Sequence, residues 1–419
     1  MHVILRRIGL AALLLTAVVA ADSKDPQVEL AQLAKAQRSV LAYDGGKFSG
    51  PAWQRLLDEG RRAQFFLIGE EHGIAENPRL VAQLFTALVP SGYRHMVIEI
   101  SPPMASVVDE ALQVGGLEGL RALYAQPGGE PAFFGMKEEA EMLAAVRAAV
   151  PPSEPAFWGA DYEVAGDRAL LRVLQASEKP PAAELALDKL VAASHAGWNK
   201  HAATGGPQHI FTFAGEPGLV RAVRSAWPNP DPESARILDT LEATLEINRL
   251  WRTGQPYESN RRRAALLRSN FLYDWQQYGD ESLKLMFKFG ASHMVRGRNN
   301  TQTYDLGTLL PEVTGLAGTE TFSLLVVPGE GSLTAVLNPA TWSFDPAPPK
   351  DGYLKGLDPL LAAALPDEFT LFDLRPLREK AFRRARHLDP ALLRTLFGFD
   401  MLLVMSGSTA AAEFEHDQQ

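Results

Sequence analysis

Between Gln64 and Pro78 the chain reads QFFLIGEEHGIAENP, and this stretch narrows its possible folds more than any other. Phe65 to Ile68 is an unbroken apolar run that stops at Gly69, and Glu70, Glu71 and His72 follow at once. A short continuous apolar run fits a strand covered on both faces, as in the parallel sheets of α/β proteins. Such sheets build their sites in the crevice at the carboxyl ends of the strands. An apolar core has no use for two carboxylates and an imidazole, because unpaired buried charge is costly. A solvated acidic turn is the competing reading.

The pattern recurs along the chain. The first strand is expected over Gln64–Ile68. A helix over Pro78–Leu88 follows, with Val81, Leu84, Phe85 and Leu88 on one face and Gly92 as its stop. A second strand, His95–Ile100, carries Glu99 inside the apolar run HMVIEI. Strand, helix and strand make a βαβ crossover, so the sheet is at least partly parallel. Helices are expected over Met104–Ala148. A short strand, Ala156–Gly159, leads to Asp161, and residues 165–270 read as mostly helical. The strand Lys284–Phe289 ends at Gly290, just before Ser292 and His293. Phe322–Val327 and Leu402–Met405 read as further strands. Residues 22–45 read as a polar leader and a helix with Leu30, Leu33, Val40 and Leu41 on its apolar positions. Pro346 to Pro349 reads as a turn-rich connection. The fold class that follows is α/β: a mostly parallel central sheet flanked by helices, with a helical insertion at about 165–270 in a single domain, 22–419, and the site at the carboxyl ends of the strands.

Residues 1–21 are read apart from the fold. Arg6 and Arg7 precede an apolar run, Ile8 to Ala17, and the small residues Ala20 and Ala21. This is the pattern of a secretory signal peptide, cleaved after about Ala20 or Ala21. The mature protein is then expected in a periplasm or secreted, without stable membrane insertion. The chain has no cysteine, which excludes disulfides, thiolate catalysis and Cys-ligated zinc. The formal charge of -9 argues against nucleic acid and anionic membranes as partners and leaves a small-molecule substrate.

Four strand tips carry polar residues: Glu70, Glu71 and His72 on the first, Glu99 on the second, Asp161 on the third, and Ser292 and His293 on the fourth. On one edge of a parallel sheet these converge. Two histidines with three or more carboxylates can do general acid–base work or hold a metal. Each residue also has a plainer reading: Glu99 turned to solvent, Asp161 capping a turn, His293 satisfied in the core. His95 reads as structural or solvated, and His195, His201 and His209 lie away from the tips. No GxSxG elbow, HExxH helix, Walker loop or GxGxxG is present. His72 and Glu76 at i, i+4 make only a weak zinc motif.

IGEEHG, VIEI, WGADYE and the late GASH resemble motifs of the superfamily that joins erythromycin esterase-like proteins, ChaN haem-binding uptake lipoproteins and TIKI/TraB proteins. The closest likeness is to the erythromycin esterase-like branch. Arg263 to Asn270, RAALLRSN, is similar to that branch's Arg-x-x-x-Met-x-x-Asn helix, with Leu267 for Met, and GFDMLLVMSGST resembles its closing strand. The likeness runs from about Phe65 to Ser408. It implies an active site of His72, Glu70, Glu99, Arg263 and His293, with Glu71, Asp161 and Asn270 as support. It also implies hydrolysis without metal, with His72 activating water. The chain departs from that branch in having Glu-x-His where the esterases usually have Glu-x-x-His, and a single histidine in the late motif where they often have two. Both departures point away from macrolides as the substrate.

Physically, a neutral His72 can take a proton from water while Glu70 or Glu99 orients it. Arg263 can hold a carboxylate or an oxyanion, and His293 can protonate a leaving group or share the base role. No cofactor is expected. The alternatives are a haem-binding protein of the ChaN type, with His72, His293 or Tyr162 as ligand, and a metal-dependent peptidase of the TIKI type, with a divalent metal on His72, Glu99 and His293. The ChaN branch's lipidated cysteine is absent here.

Overall fold

A computed structural model describes residues 25–279, 282–341, 343–349 and 354–414. The expected signal peptide, 1–21, lies outside them. The strands are β1 (Arg38–Asp44), β2 (Lys47–Ser49), β3 (Phe65–Glu70), β4 (Tyr93–Ile98), β5 (Phe157–Gly159), β6 (Lys284–Gly290), β7 (Thr321–Pro328), β8 (Thr334–Asn338), β9 (Ser343–Ala347), β10 (Phe369–Asp373) and β11 (Met401–Met405). Nine of them form one sheet in the order β2-β1-β10-β11-β7-β3-β6-β4-β5. Every pairing from β11 to β5 is parallel, and the three pairings on the β2 side are antiparallel. The fold is therefore the mostly parallel α/β sheet that the sequence implies.

The apolar run of β3 is continuous because both faces are covered. Phe66 and Ile68 join one core, whereas Phe65 and Leu67 join the core on the opposite face. The first core takes Val81, Leu84, Phe85 and Leu88 from the helix Glu76–Leu88. The second takes Leu267 and Phe271 from the helix Pro256–Tyr278. That second helix is fixed by edge-on aromatic contacts, with Phe65 5.8 Å from Phe271 and 5.1 Å from Trp275 between ring centroids. Its amino-terminal half is thereby held over the tips of the central strands. From Asp167 to Tyr278 the chain runs through helices alone, between β5 and β6. No helix among the described residues is long and apolar enough to cross a membrane.

Several elements differ from the sequence reading. The helix expected after a polar leader within 22–45 ends at Ala36, and Val40 and Leu41, assigned to it, lie in β1, paired with β10. β-branched Val40 and the turn at Gly45 and Gly46 favour the strand once β10 offers a partner. Leu33 is 39% exposed and packs no core. Pro346 and Ala347 belong to β9, which pairs with β8 as a two-stranded hairpin outside the main sheet. A proline is tolerated there because the hairpin has free edges. β3 runs two residues further than expected, so Glu70 still sits in the strand, whereas β4 stops at Ile98 and leaves Glu99 just past its end.

Gly73 ties the hairpin to the site. It has φ +92°, and a Cβ there would lie 2.3 Å from Ala335 O. Its carbonyl accepts from Ala335 N and Ala411 N, each at 2.9 Å. Gly73→Ala is expected to cost on the order of 1–3 kcal/mol, from left-handed strain and displacement of Ala335. Gly45→Ala, where a Cβ meets nothing within 4 Å, should cost clearly less. Urea midpoints of the two variants test this ordering.

Candidate active site

The site begins with a buried cation. Lys288 stands in β6 with its side chain 1% exposed, on the face that Met286 gives to the first core. Its Nζ donates to Glu70 Oε1 at 2.6 Å and to Glu139 Oε1 at 2.8 Å. Phe134 covers it, 5.0 Å from ring centroid to Nζ. Glu70 Oε2 also accepts from Asn77 Nδ2. Burial works against the charge of Glu70, but Lys288 and the His72 hydrogen bond outweigh it and hold the carboxyl below its ordinary value. Burial pushes Glu139 up to about 7 in spite of Lys288.

Glu70 then fixes His72, whose Nδ1 lies 2.8 Å from Glu70 Oε1. An ionised carboxylate only accepts, so Nδ1 carries the proton and Nε2 keeps its lone pair when the ring is neutral. The ring stacks on Phe133 at 4.6 Å and 18°. Burial lowers the His72 basicity, but the hydrogen bond to Glu70 and the charges of Glu70 and Glu99 raise it above that of an ordinary histidine. Nε2 lies 3.6 Å from Glu99 Oε2, too far for a direct hydrogen bond. A Cβ at Gly290 would lie 3.0 Å from that nitrogen, so a larger residue there would crowd the His72 ring.

Glu99 is 3% exposed and turns into the site, not to solvent. Oε2 accepts from Gly290 N at 2.5 Å. Oε1 meets Arg263 Nη2 at 3.1 Å and His293 Nε2 at 3.2 Å. Burial opposes its ionisation, but His293, His72 and Arg263 hold the carboxyl far below the usual range. His293 sits in the short turn Ala291–Met294 after β6, with Nδ1 2.8 Å from Asp305 Oδ2. Asp305 also caps the helix Leu306–Ala317, which fixes its direction. Burial would lower His293; Asp305 and Glu99 together outweigh both that and the repulsion of Arg263, and push it up to about 10. At neutral pH His293 is an imidazolium. It is therefore suited to donate a proton and ill suited to the shared base role that the sequence left open to it.

Arg263 comes from the first turns of the helix Pro256–Tyr278. Nε donates to Asp161 Oδ1 at 2.9 Å, and Nη2 donates to Asp161 Oδ2 and to Glu99. The guanidinium lies 4.6 Å from the Tyr162 ring centroid. Asp161 accepts from Tyr162 N as well, so it caps its turn and holds Arg263 together. Asn270 donates to Ala160 O at 3.0 Å and pins the same helix to the β5 tip.

A cleft of about 260 Å³ opens over these groups, lined by His72, Glu99, Arg263, Gly290, Ser292 and His293 among others. Glu71 stands apart: its amide continues the β3 ladder to Val326 O, and its side chain lines a neighbouring groove. Glu76, the i+4 partner of His72, binds Thr409 instead. His95 is buried, with Nδ1 2.5 Å from Pro155 O and its ring stacked on Trp158, so it is structural and not solvated. Among the described residues no group of three or more histidines and carboxylates is spaced to hold a metal ion. Lys288, Asn77, Glu139, Phe133 and Asp305 were missed in the sequence. Only Lys288 had a signal there, as a lone lysine inside the apolar strand KLMFKF.

No protein-family model and no curated protein matches the chain in sequence. Solved structures match it in fold. A Bacillus cereus protein from a structural genomics effort is 14% identical with a TM-score of 0.59, over 93% of this chain and 99% of that one. A succinoglycan biosynthesis protein is 15% identical with a TM-score of 0.59, over 94% and 100%. A histidine-to-asparagine mutant of the erythromycin esterase EreC, in its open conformation, is 13% identical with a TM-score of 0.56, over 89% and 98%. What these likenesses share with the chain is the fold, a large, mostly parallel central sheet flanked by helices.

Lys288 lies between two buried acids, so removing it alone leaves uncompensated charge. Lys288→Met is expected to cost about 3–5 kcal/mol of stability. Adding Glu139→Gln should recover part of that loss, because one of the two stranded carboxyls is gone. Thermal unfolding of the single and double variants measures the recovery.

Proposed function

We propose that this protein is a hydrolase of ester or related bonds that activates water with the His72–Glu70 pair. One observation carries the reading: an oriented imidazole with its free nitrogen facing a cleft, across a shared carboxylate from an imidazolium, His293. The base and the acid are set by their surroundings, as general acid–base catalysis requires. A water that hydrogen-bonds to His72 Nε2 from the cleft gives its proton to Nε2 as its oxygen attacks the carbonyl carbon. The carbonyl π pair moves to oxygen, where the positive edge of His293 and Arg263 stabilises it. Collapse breaks the carbon–oxygen bond to the leaving group, and His293 protonates that oxygen. The acid and alcohol products leave, the proton held by His72 replaces, by way of solvent, the one that His293 gave, and the two rings regain their starting states. The scheme uses no metal and no cofactor. Export is part of the proposal and rests on the basic, apolar and small residues of 1–21.

The pH profile tests the two roles. Activity needs His72 neutral, and its affinity for protons is raised, so the rate should climb with pH through a value above an ordinary histidine pKa of about 6.5. It also needs His293 protonated, so the rate should fall again near pH 10. His72→Ala should lower kcat by about 10²-fold or more. Chelators should leave the rate unchanged. Inhibition by EDTA that zinc or manganese reverses would assign the site to a metal peptidase. A Soret band without hydrolysis of any ester tried would assign it to haem binding.

A further inference from the structure

His72 and Phe133 line two cavities at once. One is the polar cleft described above; the other is an adjoining groove of about 310 Å³. Phe133 and Val164 form one wall of this groove, and Val336, Leu337 and Phe344 of the β8–β9 hairpin form the other. Its size is that of a small-molecule site. Leu337 is 39% exposed on the rim, which leaves apolar surface there uncovered. Phe133 is held at φ +66°, a conformation that a large side chain rarely adopts, with its ring parallel to His72 at 4.6 Å. The strain places an aromatic partition beside the proposed base. The hairpin wall is fixed to the same motif, through Ala335 N on Gly73 O at 2.9 Å.

Resting on the hydrolase reading, we propose that this groove is the subsite for an apolar, uncharged part of the substrate, whose scissile bond then reaches His72 past the edge of Phe133. The substrate class is an ester with one extended apolar moiety and a compact polar one. The apolar part lies along the hairpin, and the polar part occupies the cleft between His293, Asn299 and Thr301. Glu71 also lines the groove, as does Glu130, which burial and Glu413 push up to about 7, so an anionic tail is increasingly disfavoured there above neutral pH.

Two measurements on the full protein test this. In the first, kcat/KM is compared along a series of uncharged nitrophenyl esters from acetate to octanoate. It should rise by up to about fourfold per added methylene until the groove is filled. Leu337→Glu and Phe344→Ala should both flatten that slope. In the second, binding of N-phenyl-1-naphthylamine, a neutral apolar fluorophore, is followed without catalysis. Leu337→Glu should weaken it at least 10-fold. Leu337 is a rim residue, so the variant is expected to fold, and Phe344→Ala gives an independent change to the same wall. Ester hydrolysis with no dependence on chain length, and fluorophore binding equal in all variants, would overturn the groove proposal and leave the hydrolase reading intact. Groove binding lost in the variants, with no ester of the series hydrolysed, would retain the groove and sink the hydrolase reading.

Discussion

Glu99 is the contact on which the site depends. It stands where β4 ends and meets four other parts of the chain: the β6 tip through Gly290 N, the long helix through Arg263, the turn after β6 through His293, and the first motif through His72. In water such ion pairs contribute little. At 3% exposure the carboxylate has lost its solvent, and each neighbour becomes a replacement for it. Its ionised state adds to the effect of Glu70 on His72 and of Asp305 on His293, and both rings hold a proton more tightly than an ordinary histidine. What sets the two rings apart is the carboxylate each does not share: Asp305 pairs with His293 and otherwise caps its own helix, whereas Glu70 divides its charge among His72, Lys288 and Asn77.

Behind this layer lies a second one, Lys288 with Glu70 and Glu139, almost fully enclosed. Burying three ionisable groups is poor economy for stability, since hydrophobic residues of similar size commonly do as well or better. The arrangement makes physical sense as orientation. Lys288 keeps Glu70 ionised and so an acceptor only, which puts the His72 proton on Nδ1 and leaves Nε2 open. The core gives up some stability to hold a charge where a packed side chain could have stood.

The sequence made the strand tips legible because each carries charge directly after an apolar run, a juxtaposition that burial alone does not explain. Glu70, His72, Glu99, Asp161 and His293 were found in that way, and Arg263 and Asn270 through the resemblance of their helix. The roles within the cluster were less legible. Asp161 caps a turn and pairs with Arg263 at the same time, and the two readings exclude each other only on paper. Asp305 reads as an ordinary helix cap, and nothing local shows that its other oxygen meets His293. Glu139 lies on an amphipathic helix where an acid is unremarkable until Lys288 arrives from a strand 149 residues away. β1 and β10 escaped notice for the same reason, since these strands are decided by pairing partners distant in sequence. Phe133 had no signal at all, because a positive φ at phenylalanine is a tertiary constraint.

The motif GEEHG also builds more than its titratable groups. Gly73 admits Ala335 at a distance no side chain would allow, and the same carbonyl accepts Ala411 near the carboxyl end of the chain. Glu76, three residues on, binds the backbone and hydroxyl of Thr409. One turn therefore orients the imidazole, seats the hairpin that walls the apolar groove, and anchors the last described segment. The remaining site residues arrive on separate elements that meet only when β3, β6, β4 and β5 have paired in register. Side chains so scattered have no local structure that could bring them together early. Their strained and charged contacts form only after the sheet has supplied the burial that stabilises it, which places the site downstream of the fold in energy as well as in space.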